Sequence, residues 1–170
     1  DIPGLSTRTF GASSNMNINN WGDGVSNPGN SLLPNNMGNL TLNLTTAYSG
    51  SWQMGGAITN IQGNLTVMQF GTTTQRALRF TTSAGTIPTI TIGGNVNCSG
   101  GIIEFNSGTT VVTNLNIGGS VNQSGSGQIK FTTSTGTVNA NITGGLSVSG
   151  TGAFAPGTAS TLNFVNPGSG

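Results

Sequence analysis

The residues that could do covalent or acid–base chemistry are few. Among 170 residues the acids are Asp1, Asp23 and Glu104, the bases are Arg8, Arg76, Arg79 and Lys130, the single thiol is Cys98, and there is no histidine. Without histidine, the Ser–His and Cys–His nucleophile pairs and most metal-hydrolase ligand sets cannot be assembled. Glycoside hydrolysis canonically uses a carboxyl pair, and the three acids are far apart in sequence. One cysteine excludes an intrachain disulfide framework and multi-cysteine metal sites. Zinc, haem and iron–sulfur ligand sets are missing, as is any phosphate-cradling or dinucleotide fingerprint. The expectation is a non-enzyme with no catalytic residue, no cofactor and no metal.

The same scarcity of charge limits partners. A net charge of +1 with four scattered bases does not supply the electrostatic footprint of nucleic-acid binding. Apolar runs of a few residues are too short to insert into a bilayer. Gly, Thr, Asn and Ser number 29, 26, 22 and 18, together 95 of the 170 residues. These types disfavour helix interiors, so the elements that position any side chain here are strands and turns.

A repeat supplies the register. Gly38-Asn39-Leu40-Thr41-Leu42 returns as Gly63-Asn64-Leu65-Thr66-Val67, Gly94-Asn95-Val96-Asn97-Cys98, Gly119-Ser120-Val121-Asn122-Gln123 and Gly144-Gly145-Leu146-Ser147-Val148, at spacings of 25, 31, 25 and 25. The long interval holds one insertion, placed near residues 71–75. Ile61, Ile92, Ile117 and Ile142 form a second column, and Phe80, Phe105, Phe131 and Phe154 a looser third. Between the columns apolar and polar residues alternate with period two, a strand signal. About 25 residues and three short strands per coil, in about five coils, specify an all-β fold, a right-handed parallel β-helix or solenoid. Stacked neighbours build a core that no coil can build alone. A β-sandwich also has short strands, but it does not require a 25-residue register.

Residues 38–170 are read as the β-helix repeat domain and residues 1–37 as an irregular N-terminal cap or docking arm. The chain begins at Asp1 without a signal-like segment, which reads as a processed mature protein or a piece of a longer one. Outward side chains should stack as well. Asn60, Thr91, Asn116 and Asn141 form one polar column, and Thr41, Thr66, Asn97, Asn122 and Ser147 another, able to hydrogen-bond from coil to coil. Arg79, Glu104 and Lys130 each precede a Phe of the third column, which predicts a plus–minus–plus charge column that sets register. Cys98 falls in the inward column as a small core residue, whereas Gln123 is expected to escape from it. Candidate surface or glycan contacts are Trp21, Tyr48, Trp52, Thr91, Asn116 and Asn141, with cap and first-coil packing the competing role for the aromatics. Six Asn-X-Ser/Thr sequons, beginning at Asn39, Asn43, Asn64, Asn97, Asn122 and Asn141, are background unless the host glycosylates them.

Segments such as Gly63-Asn64-Leu65-Thr66-Val67, Ile92-Gly93-Gly94-Asn95-Val96 and Ile117-Gly118-Gly119-Ser120-Val121 resemble β-helix repeats of very large Bacteroidota cell-surface proteins. Those proteins are exported by the type IX secretion system and include adhesins, some of the gliding type. The resemblance covers about residues 38–170 and carries over no individual functional residue. It implies a secreted, extracellular or cell-surface structural protein, a β-helical rod within an adhesin or fibre that serves cell adhesion. Its partners would be copies of itself or flanking repeats of the same chain, with glycans or surfaces as further candidates. Other readings are a self-assembling filament subunit, a glycan- or ice-binding solenoid, and a viral tail-fibre β-helix. The ice reading needs a regular Thr-X-Thr face, which Thr89-Ile90-Thr91 begins but Asn114-Leu115-Asn116 and Asn139-Ala140-Asn141 do not continue.

Overall fold

A computed structural model describes residues 10–19, 33–45, 50–56, 58–70, 76–81 and 89–165. These residues form strands and turns with no helix. The strands lie in three parallel sheets. The first sheet runs β1 (Asn15–Ile18), β3 (Asn39–Leu44), β6 (Leu65–Phe70), β9 (Val96–Cys98), β12 (Val121–Gln123) and β15 (Leu146–Val148). The second runs β4 (Trp52–Gln53), β7 (Ala77–Thr81), β10 (Ile102–Asn106), β13 (Gln128–Thr132) and β16 (Phe154–Ala155). The third runs β2 (Asn36–Met37), β5 (Asn60–Ile61), β8 (Ile90–Ile92), β11 (Val112–Ile117), β14 (Thr137–Ile142) and β17 (Thr161–Phe164). The chain visits the sheets in turn, so each circuit adds one rung to all three. The result is a parallel β-solenoid of five complete rungs above a partial first one.

The columns read from the sequence are the registers of these sheets. Ile61, Ile92, Ile117 and Ile142 pair in succession, with Met37 below and Phe164 above. Leu40, Leu65, Val96, Val121 and Leu146 do the same in the first sheet. Alternation sends these side chains inward, where all but Leu146 and Phe164 of the last rung join one continuous core. Phe80, Phe105 and Phe131 stack inside at successive centroid separations of 5.4 Å. Phe154 departs from the expected column: its register partner is Ile129, so its ring meets Phe131 edge-on at 5.6 Å.

Two boundaries differ from expectation. Strands β1 and β2 lie within residues 1–37, yet they pair in parallel with β3 and β5. The rungs therefore begin before residue 38. Ser14-Asn15-Met16-Asn17-Ile18 carries the pentamer's polar–apolar alternation, with Ser in place of its Gly. Residues 1–9 and 20–32 of the expected cap, Trp21 among them, lie outside the described residues. The expected insertion at 71–75 also lies outside them. Against the rung above, the extra residues fall between β6 and β7, because Val67 to Leu78 spans 11 residues where the paired Cys98 to Ile103 spans five. Against the rung below they fall between β7 and β8, because Leu78 to Ile92 spans 14 residues where the paired Trp52 to Ile61 spans nine.

The turn from the third sheet to the first demands glycine. A Cβ on Gly94 would lie 2.9 Å from Gly63 C, and one on Gly119 would lie 2.8 Å from Gly94 C. Successive turns stack backbone on backbone there, leaving no space for a side chain. Replacing Ile117 by Ala opens a cavity in a column buried on both sides, and a loss of about 2–5 kcal/mol is expected. Asn116→Ala, outward on the same strand, should cost no more than about 1 kcal/mol. Denaturant unfolding of the two variants measures the contrast, and equal losses would contradict the assignment of faces.

Candidate functional surface

The polar column of the third sheet is in register as expected, from Asn60 through Thr91 and Asn116 to Asn141. It extends to Asn36 and Asn163. Amide ladders link parts of it: Asn60 Nδ2 donates to Asn36 Oδ1 at 3.0 Å, Asn141 Nδ2 to Asn116 Oδ1 at 3.1 Å and Asn163 Nδ2 to Asn141 Oδ1 at 3.3 Å. Asn116 and Asn141 are exposed and Thr91 is half-buried. The column of the first sheet is joined by Asn122 Nδ2 donating to Asn97 Oδ1 at 2.9 Å and Asn97 Nδ2 to Thr66 Oγ1 at 3.4 Å. Both columns are uncharged, with hydrogen-bonding capacity partly used by the stack itself.

Of the aromatic candidates for surface contact, Trp52 is corrected. It is fully buried and packs edge-on against Phe70 at 5.2 Å. It sits at an inward position of β4, paired with Leu78, and its indole is core material. Trp21 and Tyr48 lie outside the described residues. The surface candidates placed on a common face are thus Thr91, Asn116 and Asn141.

The charge triplet is in register: Arg79 pairs with Glu104, and Glu104 with Lys130. The ion pair closes on one side only, between Arg79 Nε and Glu104 Oε2. Glu104 is buried beside it while the Arg79 side chain is one-third exposed. Among the described residues no three His, Cys, Asp or Glu side chains come together as a metal-binding group, and no helix is long and apolar enough to cross a membrane.

Cys98 occupies its expected inward place, but Gln123 does not escape. It lies directly above Cys98 and is buried, because β12 continues through it. Its Nε2 donates to Gly127 O at 2.8 Å, whereas Oε1 is buried without a partner. The Cys98 S–H donates to Gln128 O at 3.4 Å. Burial pushes the thiol up from 9.0 to about 11, against the opposing effect of backbone hydrogen bonds.

Sequence reasoning missed two polar devices. One is a ladder at the turn into the first sheet. Asn39 Oδ1 accepts from Asn64 N at 2.7 Å, Asn64 Oδ1 from Asn95 N at 2.7 Å, Asn95 Oδ1 from Ser120 N at 2.8 Å and Ser120 Oγ from Gly145 N at 3.1 Å. Its signal was the second pentamer position, Asn in three of five repeats. The other device is buried Asn106, whose Nδ2 donates to Val111 O at 2.9 Å and Thr137 O at 3.2 Å while Oδ1 accepts from Gly108 N at 2.9 Å. It holds the turn between the second and third sheets. Its register partner above, Thr132, does the same with its hydroxyl, accepting from Ser134 N at 3.4 Å and donating to Gly136 O at 3.1 Å, and Thr81 is the partner below.

Two outcomes follow for the charged and thiol groups. Arg79→Ala leaves the Glu104 carboxylate buried without its partner and should cost about 1–3 kcal/mol. Lys130→Ala should stay within about 0.5 kcal/mol, and chemical denaturation compares them. The folded chain keeps the Cys98 proton where the unfolded chain loses it, so the unfolded state binds fewer protons. This contribution to stability is complete below pH 9 and disappears between pH 9 and about 11, by up to about 3 kcal/mol. Cys98→Ala should flatten that part of the stability–pH curve relative to the parent chain.

Compared with protein-family models, with curated proteins and with solved structures, the chain has no match in any of the three.

Proposed function

We propose that the chain is a non-enzymatic structural rod, a β-solenoid segment of an extracellular or cell-surface adhesin. The observation that carries this reading is the continuity of the stack. Inward columns, polar ladders and backbone hydrogen bonds run in one direction through five complete rungs. Each rung contacts its neighbours alone, which makes the element extensible without redesign. Among the described residues the charged side chains are used in the stack or stand singly, and Glu104 is the one acid there. A rod needs stiffness and a surface that attracts few unintended partners, and uncharged amide and hydroxyl ladders supply both.

Location is the part of this reading most open to direct test. Antibodies against the chain should label intact cells that make it, and external protease should remove the label without lysis. Labelling that appears only after permeabilisation would overturn the surface assignment.

A further inference from the structure

The third sheet differs from the rest in how its outward polar groups are spent. None of its six strands carries a charged residue. Two outward columns run side by side through its middle rungs. One passes through Thr91, Asn116 and Asn141. The other passes through Asn114 and Asn139, and Thr89, one residue before the Ile90–Leu115 pair, comes level with Asn114 from below. Above this level the amides bond to one another: Asn139 Nδ2 donates to Asn114 Oδ1 at 3.4 Å and Asn141 Nδ2 to Asn116 Oδ1 at 3.1 Å. Below it the ladder stops. No side-chain hydrogen bond links Thr89 or Thr91 to Asn114 or Asn116, and the Nδ2 groups of both asparagines donate to no described residue. Two hydroxyls and two amides with uncommitted donors thus stand together, at the corners of a cell about 4.8 Å by about 6.6 Å. Thr89, Asn114 and Asn116 are exposed and Thr91 is half-buried. Val112, 44% exposed, continues the outward line of β11 and adds an apolar edge beside the amides.

We infer that this patch, Thr89, Thr91, Asn114 and Asn116 with Val112 at its edge, is a binding site for a neutral glycan. The class of ligand follows from the groups presented. Amides and hydroxyls both donate and accept, which is the capacity of a sugar hydroxyl. An ionic ligand would give up hydration here and meet no opposite charge on the sheet. A protein partner needs roughly 800 Å² a side for a stable contact, whereas the cell of uncommitted donors is on the scale of a single sugar ring. Val112 supplies what the C–H face of that ring requires, an apolar contact next to the polar ones. The site lies in the middle of the stack, with rungs above and below it. As the ligand of an adhesin the glycan rests on the reading given above, but the binding itself is a property of these rungs.

The test uses the full 170-residue chain. It is applied to an array of neutral oligosaccharides of the glucose, mannose, galactose and N-acetylglucosamine series, and of acidic ones bearing uronate or sulfate. Binding should be confined to neutral members, and the strongest of them is then titrated. Thr89→Val with Thr91→Val removes both hydroxyls at nearly constant shape, and Asn114→Ala with Asn116→Ala removes both amides. Each pair should raise the dissociation constant about tenfold and leave the circular dichroism spectrum and thermal midpoint in place. Thr41→Ala with Thr66→Ala, on the first sheet, should leave binding unchanged. In NMR titration the side-chain amide signals of Asn114 and Asn116 should move and those of Asn97 and Asn122 should stay. No neutral binding at millimolar ligand, preference for acidic members, or binding indifferent to both third-sheet pairs would each overturn the site. Surface labelling of cells with a blank array sinks the site alone, whereas intact binding without surface labelling sinks only the location.

Discussion

Everything in this molecule depends on one contact, the in-register stacking of each rung on the next. A rung of about 25 residues contains three short strands whose inward faces carry only a few apolar side chains each. Alone it cannot cover them. When the next rung is laid on top at about 4.8 Å, the apolar columns close, the backbone groups pair, and the same operation can be repeated. The core is therefore a line through the stack, which is why a chain with 33% hydrophobic residues suffices to fill it. Val121 and Ile142, with a rung on each side, are fully buried, whereas Leu146 and Phe164, one rung further along the same columns, are exposed.

The stacking distance also dictates the turns. Where the third sheet passes into the first, turns lie so close that Gly94 and Gly119 sit backbone against backbone, and a side chain has room only one residue later. That next place is taken by Asn39, Asn64, Asn95 and Ser120, whose side-chain oxygens accept the backbone N–H of the rung above. Glycine permits the approach and the polar residue after it ties successive turns together. The two roles occupy adjacent positions of the same pentamer, so the motif works as a unit.

Much of this was legible because a solenoid writes its register into its sequence. The isoleucine and phenylalanine columns, the polar column through Thr91 and the alignment of Arg79, Glu104 and Lys130 follow from counting residues, since in-register stacking turns sequence spacing into spatial contact. What was not legible shares a cause: local context that spacing does not record. Gln123 was expected outside because a lone amide in an apolar column violates the pattern, yet a local carbonyl, Gly127 O, receives its Nε2 and keeps it in. Strand β1 was missed because Ser14 stands where the pentamer has Gly. Trp52 was counted as a surface platform by residue type, although its parity on β4 turns it to the core. The candidate surface was legible as a polar face, but no residue on it announces a ligand by type.

The rarity of charge, which first argued against catalysis, is better understood as a consequence of stacking. In an in-register parallel solenoid, a charge written into the repeat unit is copied onto every rung. Like charges about 4.8 Å apart repel by about 1 kcal/mol in water and several times that near a protein surface, and the penalty recurs at each rung. An asparagine in the same place has both a donor and an acceptor, so a column of identical amides is attractive with no alternation required. Charges are compatible with the stack only where neighbouring repeats have diverged to opposite sign. Arg79 below Glu104 meets that condition and forms an ion pair, with Lys130 above continuing the alternation. The abundance of Asn and Thr and the near absence of charge are thus two results of one geometric rule, and that rule would operate whether or not the surface binds anything.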